Sequence, residues 1–109
     1  MLSIIRTKID PGFLQQATED FKDYIKIVVD VRRRILAAGG TKHVDGETLL
    51  LKDGSRQEDL WGAGLDLETG EMDFDSMINL RPDQNSSREI LDPEVRQKVG
   101  AIIRSLLQE

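Results

Sequence analysis

The chain has 109 residues, no cysteine and a formal net charge of −5. That length suits a single domain, residues 1–109, with a core of its own. Without cysteine there is no disulfide, thiol nucleophile or thiolate metal site. The acidic balance argues against a generic phosphate-backbone binder, which needs a basic surface, so nucleic acid is an unfavoured partner.

No apolar run approaches the roughly 20 residues that span a bilayer. The N-terminal MLSIIRTKID turns polar too soon for a signal peptide. The expectation is a soluble cytoplasmic protein with no membrane partner.

Residues 2–9 alternate loosely and predict a short strand. Asp10-Pro11 reads as an N-cap with proline at the first helical position. Phe13, Leu14, Ala17, Phe21 and Tyr24 follow at helical spacing, which predicts a helix over 11–24. Residues 25–38 (IKIVVDVRRRILAA) are rich in β-branched side chains, and predict one long or bent strand, or two, ended by Gly39-Gly40. On such a strand Arg33 points away from Arg32 and Arg34, so the triplet reads as edge protection or a solvated face. The alternative is an anion-binding or nucleic-acid-associated role.

Residues 41–55 hold the only histidine. If extended, they place His43, Asp45 and Glu47 on one side, a set that a metal or a general base could use. The preferred reading is a short helix through Leu49-Leu50-Leu51, with Asp45 as N-cap and Gly54 as its stop.

Residues 60–80 (LWGAGLDLETGEMDFDSMINL) are the stretch the rest of the chain is arranged around. Thr69-Gly70 signals a hairpin turn. Folding there pairs Glu68 with Glu71, Leu67 with Met72, Leu65 with Phe74, Ala63 with Ser76 and Trp61 with Ile78. That makes one face apolar, with Trp61 read as core rather than a stacking platform. The other face carries Gly62, Gly64, Asp66, Asp73, Asp75, Met77, Asn79 and Arg81. Its two glycines leave the backbone bare for a ligand or another element to approach. Asp66, Asp73 and Asp75 are the weak candidates for a divalent cation, without the spacing of a calcium loop; no metal and no cofactor is expected.

Arg81–Asp92 (RPDQNSSREILD) is dense in hydrogen-bonding side chains. Arg81, Gln84, Asn85, Ser87 and Arg88 are candidate ligands for a small anion, just upstream of a helix N-terminus. The plainer reading is that they tie down an irregular loop. Asp92-Pro93 repeats the N-cap device, and Val95, Val99, Ile102, Ile103 and Leu106 form one stripe of a closing helix over 93–107.

Several of these strings together carry a resemblance. Gly39-Gly40, His43 with Asp45, residues 54–62 (GSRQEDLWG), residues 78–84 (INLRPDQ) and Asp92-Pro93 resemble an uncharacterised prokaryotic family known only as a domain of unknown function. The likeness covers nearly the whole chain and implies a small bacterial protein of cyanobacterial type. That family often has Gly-Asn-Arg-Ser where this chain has Asn85-Ser86-Ser87-Arg88, so the basic residue is displaced. The resemblance brings no activity, cofactor or catalytic residue.

The fold expected is α+β: a mostly antiparallel sheet with helices 11–24 and 93–107 on one face. No nucleophile elbow, P-loop, HExxH or dinucleotide fingerprint is present. The first functional expectation is therefore a non-enzymatic binding or protein-interaction module, a homodimer or a binder of another protein. The alternative is a small hydrolase or nuclease-like enzyme with His43 or Asp45 as base and Arg81 stabilising a developing anion. A regulator built on Arg32–Arg34 is the weaker alternative.

Overall fold

Five antiparallel strands form one sheet in the order β1-β3-β2-β4-β5 in this computed structural model, which describes residues 2–10, 12–13 and 22–108. The strands are β1 (Ser3–Ile5), β2 (Tyr24–Asp30), β3 (Ile35–Ala38), β4 (Leu60–Asp66) and β5 (Met72–Asp73). Helix α1 spans His43–Lys52 and helix α2 spans Pro93–Leu107. The α+β class with an antiparallel sheet is as the sequence implies. The helix expected over 11–24 falls mostly on residues outside the described set; its last residue, Tyr24, opens β2.

Period two along the central strands decides which side chains meet which helix. Ile25, Ile27 and Val29 of β2, with Trp61, Ala63 and Leu65 of β4, pack against Val99, Ile102, Ile103, Leu106 and Leu107 of α2. The alternate residues, Val28 of β2, Ile35 and Ala37 of β3 and Leu60 of β4, form a smaller core with Leu50 of α1 and Ile78. The two helices thus lie on opposite faces. The face expected to stand open is covered in part by α1, because Val28, Ile35, Ala37 and Leu60 make it apolar there and Leu50 of α1 buries them.

The run 25–38 resolves into two strands joined by a turn at 31–34. The buried Asp30 builds that turn: its Oδ1 accepts from Arg32 N and Arg33 N, each at 2.9 Å. Arg34 completes it with φ of 58°. The arginine triplet therefore sits in a turn and not on a strand. Arg32 Nε pairs with Asp59 at 3.2 Å, and Arg33 bonds Asp53 at 2.7 Å and Ser55 Oγ at 2.8 Å.

Helix α1 begins earlier than expected. Lys42 is its N-cap, without a side-chain cap bond, and Asp45 falls in the first turn, where an acidic group suits the helix dipole. Its end is as expected. Gly54 takes φ of 105°, Ser55 N donates to Leu50 O at 3.0 Å and Gly54 N to Leu51 O at 3.1 Å, which is the Schellman arrangement. Mid-helix Gly46 has a packing reason: a Cβ there would lie 2.9 Å from Val28 Cγ2.

The hairpin register differs by two residues from the one expected. Leu65 faces Met72 and Gly64 faces Asp73. Asp66 is the cause. Its Oδ1 accepts from Glu68 N at 2.9 Å and Thr69 N at 3.2 Å, and its backbone closes on Gly70 and Glu71. An Asx-type loop of 67–70 thereby replaces a two-residue turn that would have forced Thr69 to positive φ. A two-residue shift preserves the faces, so Trp61, Ala63, Leu65, Leu67, Met72 and Phe74 stay together, whereas Ser76 and Ile78, beyond the end of β5, turn to the opposite face.

At the far end, Asp92 Oδ1 accepts from Glu94 N at 2.9 Å and Pro93 stands at the first helical position, so α2 starts and ends where the stripe predicts.

Candidate functional site

β5 is only two residues long, so most of the outer edge of β4 has no main-chain partner. Side chains from the next segment close it. Asn79 Oδ1 accepts from Gly62 N at 2.8 Å and Asn79 Nδ2 donates to Gly62 O at 3.0 Å. Arg81 Nη2 donates to Leu60 O, one step further along the same edge. Arg81 also bonds Ile78 O and Glu58 O, each at 3.3 Å, and Gln84 Oε1 at 3.1 Å, while its guanidinium lies 4.2 Å over the Trp61 ring. Burial lowers its pKa from the ordinary value, and Glu47 and Asp59 act in the opposite sense.

The loop candidates share this architectural work. Asn85 is buried; its Nδ2 donates to Asn79 O, Ser87 O and Glu89 O at 3.0, 2.7 and 2.8 Å, and its Oδ1 accepts from Leu91 N at 3.1 Å. Gln84 reaches Glu58 O at 3.3 Å, and Ser87 Oγ accepts from Glu89 N at 3.1 Å. Arg88 alone turns elsewhere, to Asp75 at 3.0 Å.

The two glycines of β4 open a different place. A Cβ at Gly62 would collide with Ser76, and one at Gly64 would collide with the Tyr24 hydroxyl. Between them in sequence lies Ala63, whose carbonyl takes a 2.7 Å hydrogen bond from His43 Nε2. A carbonyl can only accept, so Nε2 carries the proton and, in the neutral ring, Nδ1 carries the lone pair. No bond to Nδ1 is made among the described residues. Burial lowers the His43 pKa, with Lys26 adding to the effect; the Ala63 bond, Asp73 and Asp75 work against it. The imidazole is accordingly neutral near pH 7.

His43 lines a cleft of about 550 Å³ together with Tyr24, Lys26, Lys42, Asp73, Asp75 and Arg88, with Ser76 and Glu89 also on its wall. β2 supplies Tyr24 and Lys26, the N-terminus of α1 supplies Lys42 and His43, and the chain leaving β5 supplies the acids. Tyr24 Oη donates to Asp73 Oδ2 at 2.7 Å, and Asp73 Oδ1 accepts from Asp75 N at 3.3 Å. Burial first, then the Asp73 bond, raises the Tyr24 phenol well above its ordinary value.

The cleft therefore unites four sequence candidates, His43, Asp73, Asp75 and Arg88. Asp45 is exposed on α1 and Asp66 is engaged in the hairpin loop. Arg81 and Gln84 line a separate cavity of about 370 Å³ with Glu58, Leu80 and Pro82. Among the described residues no group of three or more His, Asp or Glu side chains is placed to hold a metal ion. Sequence reasoning missed Tyr24, Lys26 and Lys42. The alternation of Tyr24, Lys26, Val28 and Asp30 was the available signal, hidden by placing Tyr24 on a helix.

Among the described residues no helix is long and apolar enough to cross a membrane. No curated protein and no solved structure matches the chain. One family does, over residues 3–106, nearly the whole length. The chain belongs to DUF5674, described as a protein of unknown function.

Proposed function

We propose that this domain is a non-enzymatic binding module and that its ligand site is the His43 cleft. The observation that carries this reading is His43, which lines a cavity of about 550 Å³ among Lys26, Lys42, Asp73, Asp75 and Arg88 and whose tautomer is fixed by the Ala63 carbonyl. Small-molecule sites are concave, of a few hundred Å³, with a few convergent polar groups.

The hydrolase or nuclease reading draws less support. It needs His43 or Asp45 to act beside Arg81, and His43 and Arg81 line different cavities. Arg81 would also have to abandon the carbonyls of Leu60, Ile78 and Glu58. The nucleic-acid reading loses support where Arg32 and Arg33 pair with Asp59 and Asp53. A protein-partner or homodimer reading has one specific observation behind it: Val44 and Met77, 48% and 63% exposed, stand on the rim of the same cleft. We place the protein in a bacterial cytoplasm, a reading supported by a chain without cysteine.

The test is a thermal-shift screen against divalent metals, nucleotides, phosphate, short oligonucleotides and small polar metabolites. A compound that binds only the native state raises the melting temperature. The reading expects a shift from a small molecule that disappears in His43→Gln. A shift from oligonucleotides alone, or one that His43→Gln leaves intact, would overturn it.

A further inference from the structure

We propose that the ligand of the His43 cleft is a small oxyanion, a carboxylate or a phosphate, with a hydroxyl or amino donor close to its charged group. The inference rests on the binding-module reading and names the chemistry of that site. It follows from which polar groups of the wall already have protein partners and which do not.

The acids are engaged. Asp73 accepts at both oxygens, from Tyr24 Oη and from Asp75 N. Asp75 Oδ1 lies 3.0 Å from Arg88 Nε, an ion pair without a hydrogen bond, so that buried oxygen can still accept from a donor on the ligand. Glu89 is drawn to Arg96, at 3.5 Å. A cationic ligand would compete with Arg88 for Asp75 and with Arg96 for Glu89. The positive side differs. Lys42 is exposed at the mouth of the cleft and makes no ion pair among the described residues. Arg88 is exposed and commits only Nε, so its terminal nitrogens remain as donors. Lys26 adds a third positive charge to the wall. The cationic capacity left over is that of Lys42 and the terminal nitrogens of Arg88, which an oxyanion satisfies through charge-assisted hydrogen bonds.

His43 supplies the second half of the specification. Its Nε2–H is held by Ala63 O, and the neutral ring presents Nδ1 as an acceptor. A bare oxyanion offers nothing to that nitrogen. A molecule with an O–H or N–H beside the oxyanion satisfies both requirements at once. The chain's net charge of −5 opposes an anion at long range, so the attraction has to come from the local lysine and arginine charges.

The probes share one three-carbon frame and differ in charge: glycerol 3-phosphate, glycerate, glycerol and 3-amino-1,2-propanediol. Each is titrated into the ¹⁵N-labelled full chain, following the amides of Val44, Gly62 and Gly64. The two anions are expected to move these signals. The larger response distinguishes phosphate from carboxylate. Lys42→Gln and Arg88→Gln, both at exposed positions, are expected to weaken binding about threefold to fivefold each, the scale of an exposed charge contact. A response to the amine or to glycerol alone overturns the oxyanion class and leaves the binding-module reading standing. No response from any probe overturns both. A response to the anions that neither substitution weakens overturns the assignment to Lys42 and Arg88.

Discussion

The side chain of Asn79 does for Gly62 what a neighbouring strand would do, accepting from its N–H at 2.8 Å and donating to its carbonyl at 3.0 Å. The same amide also bonds Phe74 O and Arg88 O, each at 3.1 Å, so one buried group joins the sheet edge, the exit from β5 and the loop that carries Arg88. Asn79→Ala would leave these buried backbone groups without partners, each a penalty of about 1–3 kcal/mol before relaxation. The expected loss is about 3 kcal/mol of unfolding free energy, read by urea denaturation. A loss below about 0.5 kcal/mol, the scale of an ordinary surface substitution, would contradict the role given to Asn79.

Arg81 continues the same edge by bonding Leu60 O while stacking on Trp61. A lysine has no planar fork to serve three carbonyls and no guanidinium face for the indole. Arg81→Lys is expected to cost about 1–2 kcal/mol, because several charged hydrogen bonds weaken at once. Trp61 is the only tryptophan, so its fluorescence reports the change directly. Unchanged emission and stability would return Arg81 to the list of ligand residues.

The glycines of β4 test the cleft sterically. Gly64→Ala drives a methyl into the Tyr24 hydroxyl and the Asp73 carboxylate, and Gly62→Ala into Ser76. Overpacking of this kind costs typically about 1–3 kcal/mol. Thermal melts of the two variants should both fall, whereas Gly12→Ala, with no atom of the described residues within 4 Å of the added methyl, should melt like the parent.

Two titrations follow from burial. Tyr24 is the only tyrosine, so phenolate absorbance isolates it; the midpoint should lie well above the ordinary 10.0 and move down in Asp73→Asn. His43 is the only histidine, and its ring signals should titrate below the ordinary 6.5. A base whose folded pKa is depressed binds fewer protons than the unfolded chain in the interval between the two values. Its contribution to stability is complete above 6.5 and is lost as pH falls toward the folded pKa. The stability difference between the parent and His43→Gln should therefore shrink as pH falls below 6.5. A difference that grows on acidification would mean that His43 is stabilised in its charged form.

How far the sequence could be read depended on the range of the interaction. Asp92-Pro93 and the Val95–Leu106 stripe are local signals, and α2 follows them. Gly54 likewise marks the end of α1. The hairpin faces were legible from period two, whereas its register was not, because Asp66 captures two amides in a loop that competes with the Thr69-Gly70 turn. The cleft was half legible. Gly62 and Gly64 announced a close approach, and what approaches is His43, Ser76 and the Tyr24–Asp73 pair. Residues 20 to 49 positions apart in the chain meet there, a relation that local patterning does not encode. The loop candidates Arg81, Gln84, Asn85 and Ser87 could be read as anion ligands or as ties of an irregular loop, and they bond backbone groups, since a side-chain amide and a guanidinium can replace main-chain partners as readily as they bind an anion.

The central claim is that binding happens at His43 and not at Arg81. The most direct measurement takes the anion that gives the largest response and determines its dissociation constant by calorimetry for the parent, His43→Gln and Arg81→Lys. The account predicts that His43→Gln weakens binding by about tenfold, the value of one good hydrogen bond, while Arg81→Lys leaves it within about twofold. Binding lost in Arg81→Lys and kept in His43→Gln would contradict the account and move the site to the loop after Asn79.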